Sequence, residues 1–252
     1  YNNTKEKNMR IAIISDIHAN FQALQTVMDD IRAQNCEKVL CLGDLALAGP
    51  EPAKVIDFVR KQADWTVIQG NTDKFIGEFS PKIIEDMGAK FPVMANALQD
   101  DVKILNDEEK NYLKNLPSQK ELEIEGVRIL LVHGSPRRNN EDILPDMPLE
   151  KLEEIIAGVD ASLIFCGHTH VPCGYQTKSK KTVVNVGSVG RPMTQDAKAC
   201  YVVADFKNGT FTIEHRQLDY DREKSAKIML SRNFDGCETL AQMILHPTNR
   251  HA

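Results

Sequence analysis

The sequence has few of the features that mark membrane-spanning or disulfide-bonded proteins. Only 6 of its 252 residues are cysteine, and no two of them form a Cys-x-x-Cys pair. This argues against a zinc site built from cysteine and favours reduced cysteines, as in the cytosol. No apolar run approaches the ~20 residues that cross a bilayer, and the opening YNNTKEKN lacks the apolar core of a secretory signal. We therefore expect a cytoplasmic protein without membrane contact.

Positive charge is also in short supply. The chain carries 31 Lys and Arg against 36 Asp and Glu, a formal net charge of -5, and its pI is near 5.8. Duplex nucleic acid is normally bound by basic surfaces, so it is not an expected partner. A hydrophobic content of 42% and a charged content of 27% are ordinary for a globular protein.

The pattern along the chain predicts one domain over residues 9–252. Residues 1–8 precede the first strand pattern, and we interpret them as a leader added ahead of the natural start. Strand and helix patterns then alternate, which is typical of parallel strands joined by right-handed crossovers. The strand patterns of this part are 10–15, 38–42 and 65–69, and the helix patterns are 19–35 and 52–62.

The rest of the chain breaks this alternation. Residues 74–116 have helical apolar stripes and predict a helical insertion near the mouth of a site, or alternatively a helical pair packed on a sheet. The hairpin signals Glu125–Gly126 and Asn208–Gly209 predict antiparallel pairs. Further strand patterns are 119–125, 127–132, 162–166, 173–178, 181–186, 199–206 and 210–217, with helices at 148–158 and 221–232 and then a polar tail.

We therefore predict an α/β fold, a four-layer α-β-β-α sandwich of two mixed sheets flanked by helices. We expect one sheet to be led by parallel strands and the other to be mostly antiparallel. The antiparallel C-terminal strands also offer an edge for self-pairing, so a homo-oligomer is an expectation.

Seven side chains that can ligate metals follow short apolar runs of strand type. Because the carboxyl ends of strands in one sheet meet at a common edge, residues far apart in sequence would converge there. A mixed set of oxygen and imidazole ligands of this size can hold two divalent metals, which is a hydrolytic arrangement. The seven are Asp16, His18, Asp44, Asn71, His133, His168 and His170.

Five sequence blocks contain these residues, namely SDIHAN, GDLALAG, GNTD, VHGSP and GHTH. One such motif alone is more often a turn with capping residues than a metal site. In this order, over residues 9–217, the five blocks resemble the calcineurin-like metallophosphoesterase superfamily. The GN-x-D pattern and the later NVGSVGRP are similar to its YfcE-like phosphodiesterase branch, which also includes proteins that resemble diadenosine tetraphosphatases.

The resemblance implies a site with two divalent metals, drawn from Mn, Fe, Co, Ni or Zn. It implies that a hydroxide bridging the metals attacks a phosphate ester in line. One metal would be held by Asp16, His18 and His170, the other by Asn71, His133 and His168, with Asp44 bridging. The catalytic residues would be Asp44, Asn71, Asp73 and Arg191, and the substrate would contact Asn20, Asn71, Ser188 and Arg191.

Three of these assignments have alternatives. Asn20 could contact a phosphoryl oxygen or cap the following helix. Asp73 could orient a ligand histidine, act as an acid, or cap its own loop. Arg191 could bind a phosphate oxygen as a fork of donors, or form a salt bridge at the sheet edge.

Position 72 departs from the family pattern. Many members have a histidine there that assists the leaving group, whereas this chain has Thr72. Because proton donation is worth ~10²–10⁴-fold, a poor leaving group would react slowly. We therefore predict a phosphodiesterase that acts on nucleotide-type or small diesters. The alternative activities, in order of preference, are hydrolysis of dinucleoside polyphosphates and dephosphorylation of phosphoproteins. The alternative from another class is a metal-poor scaffold that binds a partner protein.

Overall fold

Two five-stranded sheets form the centre of the protein. The computed structural model describes residues 8–247. From edge to edge, the first sheet contains β10 (Thr210–Leu218), β9 (Ala199–Lys207), β1 (Met9–Ile14), β2 (Lys38–Cys41) and β3 (Thr66–Val67). The second contains β4 (Gln119–Ile124), β5 (Val127–Val132), β6 (Leu163–Cys166), β8 (Thr182–Asn185) and β7 (Cys173–Gln176).

Helices cover the outer face of each sheet. Within residues 8–247 they are α1 (Phe21–Ala33), α2 (Pro52–Arg60), α3 (Asn71–Gly77), α4 (Pro81–Gly88), α5 (Pro92–Ile104), α6 (Asp107–Asn115), α7 (Leu149–Ile155), α8 (Arg222–Ser231) and α9 (Cys237–Leu245). No helix in this part of the chain is both long and apolar enough to cross a membrane. The proposed leader lies almost wholly outside the described residues.

Alternation along the strands builds the layers. In β1, Ala12 and Ile14 face the helices, whereas Ile11 and Ile13 face the second sheet. A separate cluster that includes Leu152 packs α7 against the other face of the second sheet. Because successive side chains of a strand point to opposite faces, two sheets buried on both faces give four layers. The predicted sandwich of two mixed sheets is confirmed.

The expected division into a parallel and an antiparallel sheet is wrong. Each sheet has two parallel and two antiparallel pairings. The strand β9 returns to pair with β1, so the C-terminal hairpin extends the first sheet. In the second sheet β8 pairs with β6 in parallel and leaves β7 at the edge. Consecutive strand patterns did not reveal which sheet each strand joins.

Both predicted hairpin turns are present and they contact each other. Glu125 and Gly126 have φ of 49° and 80°, and Asn208 and Gly209 have φ of 47° and 77°. Two successive positive φ angles are the signature of the type I′ turn, which matches the twist of paired strands. Gly209 N–H donates to the Glu125 carbonyl at 2.6 Å, so the two sheets are joined at this end.

The predicted helical segment consists of four helices, α3 to α6, rather than a pair. Ile76, Leu98, Leu105 and Leu113 are buried in the cluster on the first sheet, while α4 has no buried residue. Most of the segment therefore packs on the sheet layer, which matches the second of the two alternatives. Its description as an insertion that acts at the site mouth stays a prediction.

The expected polar tail is wrong, because the helix α9 lies at residues 237–245. Its residues Leu240, Ala241 and Ile244 are buried against the first sheet's helical layer. Gly236 precedes the helix with φ of 106°, a conformation that side chains other than glycine rarely adopt. The apolar residues follow helical spacing. The pattern is only about two turns long and includes polar residues such as Glu238, so the sequence alone did not indicate a helix.

We predict that Leu240→Ala lowers the free energy of unfolding by about 2–4 kcal/mol, the usual cost of emptying a buried leucine site. Leu240 is 2% exposed, whereas Leu230 on α8 is 47% exposed. Leu230→Ala is therefore the matched control and should change stability by less than about 0.5 kcal/mol. Urea denaturation followed by circular dichroism measures both. Equal, small losses in the two variants would show that α9 does not stabilise the domain.

Candidate metal centre

Every predicted metal ligand lies at the carboxyl end of a strand. Asp16 and His18 follow β1, and Asp44 follows β2. Asn71 begins α3 after β3. The second sheet contributes the other three: His133 comes directly after β5, and His168 and His170 follow β6. The carboxyl ends of parallel strands from both sheets therefore meet at one end of the sandwich.

The first cluster contains Asp16, His18 and His170, whose ligand atoms lie within 4.8 Å of one another. The two Nε2 atoms of the histidines are 3.1 Å apart, and His170 Nε2 is 3.1 Å from Asp16 Oδ1. All three side chains are buried. This part of the predicted ligand set is brought together.

The second cluster contains Asp16, Asp44 and His133. His133 Nε2 lies 3.3 Å from Asp44 Oδ2 and 3.1 Å from the amide oxygen of Asn71. Asp44 Oδ2 is also 3.6 Å from His18 Nε2 in the first cluster. Asp44 thus lies between the two clusters, where a bridging carboxylate is expected, and Asp16 is a member of both.

His168 lies at the periphery. Its Nε2 is 3.4 Å from Asp142 Oδ1, and it belongs to neither compact cluster of ligand atoms. Its ring still contacts the ring of His133, with centroids 5.4 Å apart. Its backbone N–H donates to Asp16 Oδ2 at 3.0 Å. The side chain therefore borders the second cluster, and Asp142, which follows no strand pattern, was missed by sequence reasoning.

In the neutral imidazoles, the ring nitrogens that face the clusters are hydrogen-bond acceptors. The Nδ1 atoms of His18, His133 and His170 lie 3.0, 2.8 and 2.6 Å from carbonyl oxygens. Because a carbonyl only accepts hydrogen bonds, each Nδ1 carries a proton, and in the neutral form of each ring Nε2 presents a lone pair. In their neutral forms, His18 and His170 therefore place two Nε2 lone pairs 3.1 Å apart.

Asp16 adds an acceptor with no donor. Its Oδ1 is buried and has no hydrogen-bond partner among residues 8–247. A buried carboxylate oxygen and opposed imidazole lone pairs are each costly unless a cation lies between them. Nitrogen and carboxylate oxygen together suit borderline divalent metals such as Mn, Fe, Co, Ni and Zn. The donor set therefore fits the predicted metals.

The electrostatics of the histidines also indicate a demand for positive charge. Burial and the neighbouring His170 lower the pKa of His18 to about 4. Burial would lower the pKa of His133 as well, but the carboxylates of Asp44 and Asp16 raise it to about 10. The two buried carboxylates thus attract a compensating cation strongly enough to overcome the desolvation of an imidazolium.

The backbone is strained at most of the candidate ligands. Five of the seven candidate ligands have φ between 45° and 67°, a region that costs about 1–3 kcal/mol for residues other than glycine. They are Asp16, His18, Asp44, His168 and His170. Concentration of such strain in one place is typical of functional sites, where the rest of the fold holds an unfavourable geometry.

Two glycines make room for the carboxylates. A Cβ atom on Gly70 would lie 2.0 Å from Asp44 Oδ1, and one on Gly167 would lie 2.5 Å from Asp16 Oδ2. Neither position admits a side chain without displacing a candidate ligand. The glycines in the GNTD and GHTH blocks therefore serve close packing around the carboxylates.

Asp73 caps its own loop, which was one of the three alternatives. Its two oxygens accept the backbone N–H groups of Asp44, Leu45 and Gly70 at 2.8–2.9 Å. Burial and the Asp44 carboxylate raise its pKa to about 7, and the backbone donors oppose this. Asp73 has no exposed surface, so in this structure it positions Asp44, and its catalytic role stays a prediction.

Thr72 has no free group to donate to a leaving group. Its hydroxyl donates to the Ala46 carbonyl at 2.9 Å, and its backbone N–H donates to Asp44 Oδ1 at 2.8 Å. The side chain is 4% exposed. Position 72 therefore holds Asp44 in place and does not offer an acid to the site.

Asn20 and Ser188 are structural. Asn20 caps α1 by accepting the Ala23 N–H, accepts from Ser225, and donates to Gly190 and Tyr220, so all four of its hydrogen bonds are made. Ser188 is fully buried, donates to the Asp16 carbonyl and accepts the Arg191 N–H. The side-chain donors of both residues are engaged within the protein, so the predicted substrate contacts would require these hydrogen bonds to break and they stay predictions.

Arg191 lies beside the first cluster. It lines a cleft together with His18, Gly49, Tyr220 and Met243. Its guanidinium forms no ion pair with a carboxylate among residues 8–247, so the salt-bridge alternative is wrong. Its backbone carbonyl is the oxygen that fixes Nδ1 of His170, so one residue both orients a candidate ligand and presents a positive charge.

Asp101 and Arg232 also orient a ligand and were not predicted. The carbonyl of Leu47 accepts the Nδ1 proton of His18. The N–H of the same residue donates to Asp101 Oδ2 at 2.9 Å. Arg232 Nη2 lies 2.7 Å from Asp101 Oδ1, and its Nη1 donates to the Gly49 carbonyl at 2.6 Å. The buried pair thus connects the helical segment to His18, a contact with no local sequence signal.

Known proteins match this chain over most of its length and of their own. An uncharacterized protein of Methanocaldococcus jannaschii, MJ0912, is 30% identical over 239 residues, which cover 88% of this chain and 93% of the relative. A metallophosphoesterase structure from Sphaerobacter thermophilus has a TM-score of 0.74 and 26% identity, covering 95% of this chain and 99% of that one. The hypothetical protein PH1004 of Pyrococcus horikoshii has a TM-score of 0.84 at 24% identity, covering 94% and 98%, which shows a likeness of fold.

The family comparison matches most of the chain. Residues 9–209 match the calcineurin-like phosphoesterase superfamily domain. That range includes all the candidate ligands and ends in the turn after β9, before α8 and α9. The narrower assignment to the YfcE-like, GN-x-D branch is compatible with this match and stays a prediction. The chain belongs to the calcineurin-like phosphoesterase superfamily and is a metal-dependent hydrolase of phosphoester bonds.

Proposed function

We propose that the protein is a phosphodiesterase that uses two divalent metals to hydrolyse nucleotide-type or other small phosphodiesters. The observation that carries this proposal is the environment of Thr72, whose hydroxyl and N–H are both engaged by Ala46 and Asp44. A site without a proton donor at this position favours leaving groups that depart as weak bases. Diesters with aryl or nucleotide leaving groups meet that condition, whereas alkyl monoesters do not.

The residues proposed to hold the metals are those of the two clusters. Asp16, His18 and His170 would bind one, Asn71 and His133 the other, and Asp44 both. His168 would complete the ligand set of the second metal by turning its ring away from Asp142, whose Oδ1 lies 3.4 Å from His168 Nε2. When bound, two divalent ions supply Lewis-acid stabilisation of the phosphoryl oxygens and acidify water toward a pKa of ~7.

The chain's own groups prepare this site. The carbonyls of Leu47, Leu42 and Arg191 hold three imidazoles with their Nε2 atoms turned inward. With only two carboxylates against two dications, about two positive charges remain to attract a phosphate ester. The guanidinium of Arg191 adds a third positive charge in the adjoining cleft, where it would bind a phosphoryl oxygen.

Two other substrate classes rank below phosphodiesters. A dinucleoside polyphosphate also has a good leaving group, and it remains the close second candidate. Phosphoserine and phosphothreonine leave as alkoxides and would need a proton, so phosphoproteins come last. A cytoplasmic location and self-association also stay predictions. A scaffold without bound metal would show neither stoichiometric metal nor turnover, so measuring both distinguishes it.

The metal-loaded protein should bind two metals per chain and hydrolyse bis-p-nitrophenyl phosphate faster than p-nitrophenyl phosphate. Asp44→Asn should lose at least one metal and reduce the diester rate by at least about a hundredfold, because a bridging carboxylate is removed. Metal content by mass spectrometry and turnover with Mn, Co, Ni and Zn are measured together. The charge-matched control is Asp64→Asn, at an exposed residue remote from the clusters. A metal-free, inactive wild type would contradict the proposal.

The diester rate should depend steeply on the leaving group. Without a proton donor, the leaving oxygen carries its full negative charge, so kcat should fall across aryl diesters as the pKa of the released phenol rises. A series of substituted phenyl phosphodiesters at constant metal loading measures this slope. A flat slope with chemistry still rate-limiting would show that another side chain donates the proton.

Asp73→Asn should weaken metal binding by roughly 10–100-fold, as is usual when a group that orients a ligand is changed. The introduced amide would direct N–H groups at backbone donors of Asp44 and Leu45 and disturb the bridging carboxylate. Titration against a chelator of known affinity gives the metal dissociation constant, and circular dichroism confirms folding. If unfolding becomes easier while metal affinity stays the same, Asp73 only caps its loop.

A further inference from the structure

The guanidinium of Arg191 is held by two methionines. Its Nη1 lies 3.7 Å from Sδ of Met94 on α5, and its Nη2 lies 3.7 Å from Sδ of Met243 on α9. The two thioethers approach from different helices, so each terminal nitrogen has its own partner. One helix belongs to the segment between β3 and β4, and the other lies beyond the part of the chain that matches the family.

These partners are unusual for a half-buried cation. A guanidinium removed from water is normally paired with a carboxylate, because desolvation of an unpaired charge is costly. Burial does lower the pKa of Arg191, and the charge of Asp44 opposes this. A thioether is a weak, uncharged acceptor. The two methionines can therefore fix the direction of the guanidinium without neutralising its charge.

The position of this cation relates it to the clusters. The cleft that it lines is also lined by His18 of the first cluster and by Leu240, Met243 and Ile244 of α9. Its backbone carbonyl accepts the Nδ1 proton of His170, so the residue is fixed at both ends. A carboxylate in place of either thioether would neutralise the guanidinium and repel an anionic substrate.

We propose that Met94 and Met243 are positioning residues that hold Arg191 as an uncompensated cation for a non-bridging oxygen of the phosphodiester. The proposal rests on the proposed function for the identity of the substrate. It makes α9 a part of the site, although α9 lies outside residues 9–209 that match the family. The two thioethers keep the guanidinium available until an anion replaces them as its stronger partner.

The test compares Met243→Glu with Met243→Gln, which have similar size but differ in charge. The carboxylate introduced by the first variant would pair with Arg191 and compete with substrate. We expect KM for bis-p-nitrophenyl phosphate to rise roughly 10–100-fold in the glutamate variant relative to the glutamine variant, as when a charge-assisted hydrogen bond is lost. The value of kcat should change much less, because the contact is made equally in the ground and transition states.

Three controls make the result specific. Leu230→Glu adds the same charge at an exposed position of α8 and should leave KM within about twofold of wild type. Metal content should be the same in all variants. In an Arg191→Gln background the difference between glutamate and glutamine at position 243 should largely disappear, which is the coupling expected of two groups that act together.

Binding of inorganic phosphate gives a readout without turnover. In the metal-loaded protein, thermal-shift titration should show phosphate binding weakened by a similar factor in Met243→Glu but not in Met243→Gln. If the wild type hydrolyses no diester but phosphate binding follows this pattern, the proposed substrate is wrong and the positioning role stands. Equal phosphate affinity and equal KM in the two variants would overturn the positioning role. If the position-243 variants do not fold, the Met94→Glu and Met94→Gln pair is measured in the same way.

Discussion

The structure depends on two buried carboxylates that meet imidazole lone pairs at one end of the sandwich. Asp16 and Asp44 have almost no exposed surface, and one oxygen of Asp16 has no hydrogen-bond donor among residues 8–247. In the neutral histidines the Nδ1 protons are directed at backbone carbonyls, so Nε2 offers this oxygen a lone pair and not a donor. Divalent metals bound at these atoms would offset this cost, so stability and function would be linked through the same atoms.

Many contacts of the surrounding fold hold these side chains in that geometry. Five candidate ligands have left-handed backbone conformations, and the elements that hold them come from distant parts of the sequence. Asp73 ties the turn of Asp44 to the start of α3. Asp101 and Arg232 tie the turn behind His18 to α5 and to the loop after α8. The helices on the first sheet therefore position the ligands as well as covering the core.

The parts of this arrangement that could be predicted are those that local pattern determines. Short stretches of sequence determine the strand ends, the hairpin turns such as Asn208–Gly209 and the order of the five blocks. The sheet that β9 joins, the three N–H groups that Asp73 accepts and the contact of Asp101 with Leu47 depend on packing between distant elements. The helix α9 is an intermediate case. Its apolar residues follow helical spacing, but two turns are too few for the spacing to predict a helix.

The role of Arg191 shows why the missed helix matters. From the sequence, an arginine near a ligand pair is as readily a salt-bridge partner as a phosphate ligand, and only the identity of its neighbours decides between the two. Those neighbours are Met94 and Met243, each contributed by a helix that lies outside the five sequence blocks. Because thioethers orient a guanidinium without cancelling its charge, the proposed positioning role would keep the positive charge of Arg191 available to an anion in the cleft. The candidate metal ligands indicate the phosphoester chemistry, whereas the residues that contact the guanidinium would influence which phosphate esters bind.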